Sequence, residues 1–284
     1  MNNIAVIGGD KREEVLIRIL LEKGFKVSVL SENNLGIDEL FYTDDHALLL
    51  QNADVVIAPV SGLDDNLFLK SRFINNNIQL NSSFFDLMKK DALFLIGVVT
   101  EKLKKLLEEK SISFVELASL DSFAIKNAVP TAEGAIKIAI EETGFTIHNS
   151  KVIIYGLGRI GIPLAWRLKV LGADTYAVTR SKEAAARGMD LGIKMITYNL
   201  LDDYLPAMDI IFNTVPCKII TEESLSLVKK SAVIIDLASY PGGVDFESAG
   251  RMGIKAIHAP GLPGKLAPVT AGKILADTII EILE

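Results

Sequence analysis

The residues Gly156-Leu157-Gly158-Arg159-Ile160-Gly161 are spaced to hold a phosphate group against bare backbone. The first glycine can make a tight turn, the second lets the chain approach a pyrophosphate, and the third lets a helix pack closely on a strand. A helix opening here adds its free N-terminal amides to the same anion. The pattern follows an apolar, strand-like run at 152–155 and precedes a stretch of helical spacing, with another strand-like run at 175–178. Strand, helix and strand within about 30 residues is the setting that a dinucleotide fingerprint requires. Gly156, Gly158, Arg159, Ile160 and Gly161 are therefore candidate cofactor-binding residues.

A site selective for NAD places Asp or Glu at the end of its second strand to bind the ribose 2′-hydroxyl. Here that position reads Val178-Thr179-Arg180-Ser181, with no acid. Arg180 can pair with a 2′-phosphate, and the Thr179 and Ser181 hydroxyls can donate to the same oxygens, so NADP is expected ahead of NAD. Ser181 is also suited to cap the helix that follows. Two further loops are expected to border the nicotinamide half. One is Asn213-Thr214-Val215-Pro216, from which Thr214, Val215 and Pro216 are candidates, and the other is Leu237-Ala238-Ser239-Tyr240, from which Ala238 is. Cys217 is assigned no chemistry, because a lone cysteine is more often a small inert side chain.

Four side chains are candidates for work on a substrate. Lys265 lies in Pro263-Gly264-Lys265, read as a constrained loop after the last strand, where an ammonium can be held for a carboxylate. His258 is placed in the loop after that strand and can move a proton near neutral pH. Ser239 follows the fifth strand of the second half. Arg12 follows the first strand of the chain, at an edge where a crevice between domains is expected, beside Gly8 and Gly9, which permit close backbone approach. For Asp10 the expected role is a helix cap, with Glu13 three residues on completing a capping box. Thr131 and Glu133 are expected to open a linker helix over 130–142, Thr131 as its cap. His46 and His148 sit among polar residues and are read as surface groups.

These positions depend on an alternating arrangement of strands and helices. Apolar runs at 4–7, 27–30, 55–58, 93–98 and 112–117 read as five strands, with helical spacing at Val15, Leu16, Ile19 and Leu20. The pattern restarts at Lys151, with six strands at 152–155, 175–178, 194–197, 209–213, 232–236 and 255–257. Alternation of this kind gives parallel sheets covered on both faces, so the fold class is α/β with two doubly wound domains. The first, 1–128, is flavodoxin- or Rossmann-like. The second, 129–284, is a linker helix with a Rossmann fold, and a terminal amphipathic helix within 268–284 is free to return to the first domain.

The composition excludes other classes. At 284 residues the chain exceeds what one core organises. With 49% hydrophobic residues it is not disordered, and a net charge of −6 without a basic run gives nucleic acid or an anionic membrane nothing to bind. One cysteine rules out an internal disulfide, and the longest apolar stretch, 92–99, is too short for a bilayer. No leader precedes the first strand, so the expected location is the cytoplasm. The sequence leaves a homo-oligomer open.

Three segments together resemble the A component of bacterial dipicolinate synthase. They are Ile7-Gly8-Gly9-Asp10-Lys11-Arg12, Asn127-Ala128-Val129-Pro130-Thr131-Ala132-Glu133-Gly134-Ala135, and the tail from Asp236-Leu237-Ala238-Ser239-Tyr240-Pro241-Gly242-Gly243 through His258-Ala259-Pro260-Gly261-Leu262-Pro263-Gly264-Lys265. The resemblance runs nearly end to end. It implies oxidation of a tetrahydrodipicolinate-type ring precursor to the pyridine dicarboxylate of endospores, with NADP as hydride acceptor. The partner it implies is the smaller, flavoprotein-like B subunit. Two other readings stay open on the residues alone, a 2-hydroxyacid dehydrogenase-like NAD(P) enzyme and a regulatory, non-catalytic module that binds a dinucleotide. Against the first, 2-hydroxyacid dehydrogenases carry an arginine where this chain has Ser239.

Overall fold

The computed structural model describes residues 3–32, 34–38, 40–74 and 78–284, which fall into two units. Unit one is residues 1–127 with 267–284, and unit two is 128–266. Among the described residues no helix is long and apolar enough to cross a membrane.

Unit one runs β1 (Asn3–Val6), α1 (Lys11–Glu22), β2 (Lys26–Leu30), β3 (Phe41–Thr43), α2 (His46–Asn52) and β4 (Val55–Ile57). It continues with α3 (Ser82–Phe85), β5 (Leu93–Ile96), α4 (Glu101–Glu109) and β6 (Ser113–Glu116), before α5 (Asp121–Glu142). All pairings are parallel, in the order β3-β2-β1-β4-β5-β6, which is the doubly wound Rossmann order. The apolar runs predict five strands. The sixth, β3, has three residues, none of them buried, so it carries no apolar run to read.

The unit boundary falls within α5. The expected linker helix begins at Pro130, but α5 begins nine residues earlier and Pro130 lies inside it. A proline costs a helix one backbone hydrogen bond, and Ala128, Ala132, Ala135 and Ala139, all buried on one face, let this helix pack closely enough to run through it. Thr131 and Glu133 consequently lie in mid-helix rather than at a helix start.

Unit two contains β7 (Lys151–Tyr155), α6 (Gly161–Val170), β8 (Asp174–Val178), α7 (Lys182–Asp190), β9 (Lys194–Ile196), α8 (Leu201–Tyr204) and β10 (Ile210–Asn213). After these come α9 (Glu222–Leu227), β11 (Val233–Asp236), α10 (Phe246–Met252), β12 (Lys255–His258) and α11 (Leu262–Leu266), and α12 (Pro268–Leu283) returns to unit one. The strand order is β12-β11-β10-β7-β8-β9, again all parallel. Every β7 residue except Lys151 is buried, as expected for a strand covered on both faces. In unit one α12 lies against α1 at a point where a Cβ on Gly272 would stand 2.6 Å from Val15 Cβ and 2.7 Å from the Arg12 carbonyl, so only glycine admits the crossing.

Candidate functional site

In a doubly wound sheet the ligand crevice opens outside the strand C-termini where the strand order reverses. In unit two that point lies between β7 and β10. Each glycine there has its own geometry. Gly156 has φ +86°, and a Cβ on it would meet Thr214 Oγ1 at 2.6 Å. Thr214 donates its hydroxyl to the Tyr155 carbonyl (3.0 Å), with the Gly156 carbonyl at 3.1 Å, which ties the β10 loop to the turn. A Cβ on Gly161 would lie 2.0 Å from the Gly156 carbonyl, so α6 starts hard against the turn. Over Gly158 there is nothing within 4 Å. Ile160 at the N-cap of α6 supplies no side-chain hydrogen bond; Ile162 N donates to the Gly158 carbonyl at 3.1 Å and Pro163 has no amide, so among the first three helical residues the Gly161 N–H is the one left for an outside acceptor. This is a fitting cradle for a pyrophosphate. Arg159 is exposed beside it.

On the other side of β7, Val178 pairs with Ile196, so the chain beyond β8 runs alongside the chain beyond β9, with Arg180 across from Tyr198. Burial pushes the Tyr198 phenol up, and the charge and hydrogen bonding of Arg180 pull it back. Arg180 is exposed, and Thr179 Oγ1 accepts from Ser181 N at 3.3 Å. Ser181 caps α7, accepting from Ala184 N at 3.0 Å and donating to Glu183 at 2.7 Å. Its hydroxyl is therefore engaged within the chain. Glu183, held below the usual carboxylate range by that hydrogen bond, is not among the residues the sequence singles out, nor is Tyr198. Register counted across β8 and β9 is the signal that finds Tyr198.

The nicotinamide side of the crevice must then lie over β10, β11 and β12. Val215 is half-buried, whereas Pro216 and Cys217 are exposed. Asn213, Asp236 and His258 are the last residues of the three strands and are paired in register across the sheet. Asn213 Nδ2 donates to Asp236 Oδ1 (2.8 Å), and Asp236 also accepts from Ala238 N (3.1 Å) and Gly243 N (2.7 Å). His258 is thus a strand residue rather than a loop residue. Its Nε2 lies 3.0 Å from the Ala238 carbonyl, and Phe246 stands 5.8 Å away, ring to ring. A carbonyl only accepts, so Nε2 carries the proton and a neutral His258 keeps its lone pair on Nδ1. Ser239 is exposed in the turn that follows Ala238.

Lys265 is exposed in the last turn of the short helix α11, not in the constrained loop that its sequence suggests. The helix packs on α5, where a Cβ on Gly134 would meet Leu266 at 2.7 Å. In unit one, Arg12 makes a two-point pair with Asp10, Nε to Oδ1 at 3.0 Å and Nη2 to Oδ2 at 2.8 Å. Burial raises the Asp10 carboxyl, but Arg12 outweighs it and the carboxyl sits below its ordinary value. Asp10 also completes the expected capping box with Glu13, a wholly buried carboxyl. Among the described residues no cluster of three His, Cys, Asp or Glu side chains is placed to hold a metal.

Comparison with known proteins agrees with this geometry. Residues 3–118 match the N-terminal domain of the dipicolinate synthase A component, and residues 126–239 match the NAD-binding domain of D-isomer specific 2-hydroxyacid dehydrogenases. The chain is 35% identical over 282 residues to the dipicolinate synthase A component of Bacillus subtilis, covering 99% of this chain and 95% of that protein. The crystal structure of the Bacillus halodurans A component superposes with a TM-score of 0.94 at 32% identity, covering 99% of this chain and 97% of that one. For the Bacillus subtilis crystal structure the values are 0.91 and 34%, with coverage of 99% and 95%.

Proposed function

We propose that this chain, which belongs to the family of dipicolinate synthase A components, oxidises a dihydrodipicolinate-type ring to pyridine-2,6-dicarboxylate with NADP as acceptor. One observation carries the reading: the open, uncapped cradle at Gly156–Gly161 stands beside Arg180, at a strand end without an acid. The reaction balances simply. One ring C–H leaves as hydride to the nicotinamide, a second ring hydrogen leaves as a proton, and the ring becomes aromatic. A hydroxytetrahydro precursor first loses water to reach the same dihydro ring.

The protein's part is to align the ring and receive the proton. His258, with its lone pair on Nδ1, is the candidate acceptor, and Ser239 lies in the turn next to it. Lys265 is the candidate partner of a substrate carboxylate. Arg12, a candidate in unit one, is already engaged in its two-point pair with Asp10. The relatives are named as the A component of a synthase, and the B subunit is the proposed partner. Glu183 supports a second reading for the cofactor: a carboxylate this close to the end of β8 is suited to a ribose 2′-hydroxyl, and so to NAD.

The deciding experiment supplies the cyclic dicarboxylate precursor with NADP or NAD, with and without the B subunit, while reduced-cofactor absorbance is followed. Turnover to the pyridine product with NADP supports the reading. Absence of reduction with either cofactor, partner present, overturns it.

A further inference from the structure

Asn213, Asp236 and His258 end three neighbouring strands at one register, so their side chains emerge on the same face of the sheet, under the loops that follow β10 and β11. Asn213 and Asp236 are fully buried. Asn213 closes on its own loop, its Oδ1 accepting from Val215 N and its Nδ2 lying 3.0 Å from the Val215 carbonyl. The same Nδ2 reaches Asp236, whose carboxylate accepts from both ends of the next loop, at Ala238 and at Gly243. His258 holds that loop a third time, through the Ala238 carbonyl.

The Gly242-Gly243 pair shows how closely the loop is moulded on these side chains. A Cβ on Gly242 would stand 2.5 Å from Asp236 Oδ2, and one on Gly243 would stand 2.3 Å from Asn213 Nδ2. Gly243 in turn receives Ile219 N and Ile220 N on its carbonyl, at 2.9 and 3.0 Å, which binds the two loops to each other. A fold needs none of this merely to end two strands. It does need it if both loops must present fixed backbone to a ligand.

We propose that Asn213, Asp236 and His258 form a positioning row that presets the 214–217 and 237–243 loops as the seat of the nicotinamide half of the cofactor. The row leaves the adenosine half, seated beyond β8, untouched. The inference rests on the dinucleotide reading of unit two and not on the choice between NADP and NAD. Asp236 acts through the loops and does not touch the reacting atoms.

The test separates the two halves of the ligand. In Asp236→Asn the new amide turns a donor toward Gly243 N or toward Asn213, in a buried place where every partner is already a donor. Adenosine diphosphate should bind this variant within about twofold of wild type, because its site is remote from the change. Reduced dinucleotide should bind about tenfold or more weakly, the scale of one unmade buried hydrogen bond. Emission of the bound reduced nicotinamide is expected to exceed the free value in the wild type and to lie nearer the free value in this variant.

His258→Ala, at a half-exposed position that can fold even where Asp236→Asn does not, should show the same split. His258→Gln, whose amide can still donate to the Ala238 carbonyl, should recover most of the loss. Equal weakening of both ligands would make the row purely structural and overturn the proposal, and so would undiminished binding of the dinucleotide. Failure of the wild type to bind either ligand would instead overturn the dinucleotide reading itself.

Discussion

Replacing Glu13 by Gln should remove a pH dependence of stability that the structure places in unit one. The Glu13 carboxyl is fully buried at the start of α1, and burial pushes its pKa from 4.5 up to about 7. Two backbone donors, Asp10 N and Val60 N, each at 2.8 Å, favour the ionised form but do not offset the desolvation. The folded protein therefore holds a proton that the unfolded chain releases at lower pH. The stability this contributes is fully present below about 4.5 and is lost as pH rises through about 7. A shift of this size corresponds to about 3 kcal/mol. Gln cannot titrate, so the difference in unfolding free energy between wild type and Glu13→Gln should change by that order between pH 5 and pH 8. Neighbouring carboxylates such as Asp10 contribute to both proteins and largely cancel. Urea unfolding followed by far-ultraviolet circular dichroism measures the difference at each pH. Emission of Trp166, the single tryptophan, reports unit two and should show no such dependence. A difference that stays constant across this range would refute the reasoning.

Arg180→Ala should cost NADPH about 1.5 to 3 kcal/mol of binding, the scale of a charged hydrogen bond, and leave NADH unchanged, as titration with both cofactors would show. Equal affinity of the wild type for the two would refute the assignment to the 2′-phosphate. Gly158→Val should fold normally by circular dichroism, because the space over Gly158 is open, yet lose dinucleotide binding because its side chain enters the pyrophosphate position. Tyr155→Phe should be neutral or stabilising by about 1 kcal/mol in urea unfolding, since among the described residues Tyr155 carries the one buried side-chain polar atom without a hydrogen-bond partner. Lys265→Met should bind NADPH normally and raise the substrate KM, and unchanged kinetics would remove Lys265 from the site.

The parts of this architecture that are legible in the sequence are those written in a local pattern. Apolar runs, capping residues and the glycine spacing each act within one or two turns of chain, so β7, the Gly156–Gly161 turn and the Ser181 cap can be read directly. The parts that are not legible depend on what a residue meets far along the chain. Pro130 reads locally as a helix start, and only the long buried alanine face shows that α5 passes through it. Lys265 has turn-forming neighbours on both sides, yet α11 forms because Leu262 and Leu266 pack against Gly134. Glu13 reads as half of a capping box, which it is, but its second partner, Val60 N, lies 47 residues away. Asn213 and Asp236 each read as the end of a strand, and their pairing needs the register between two strands that the sequence does not state.

The two units share a strand order and differ in what their reversal points hold. In unit one the turn after β1 also carries paired glycines, and the Asp10 side chain accepts from Arg12 N in the first turn of α1. There the chain supplies its own acceptor: Glu13 takes the Asp10 and Val60 amides, and a Cβ on Gly9 would lie 2.5 Å from the Glu13 side chain, so that side chain fills the place of approach. In unit two the equivalent helix begins with glycine and an apolar cap whose side chain makes no hydrogen bond, and the Gly161 amide remains for a ligand. Two carboxylates, Asp10 at the N-cap and Glu13 at the third helical position, thus separate a closed reversal point from an open one. The same topology read without its side chains would have assigned two dinucleotide sites to this chain, whereas the hydrogen bonds of Glu13 confine the cradle to the second unit.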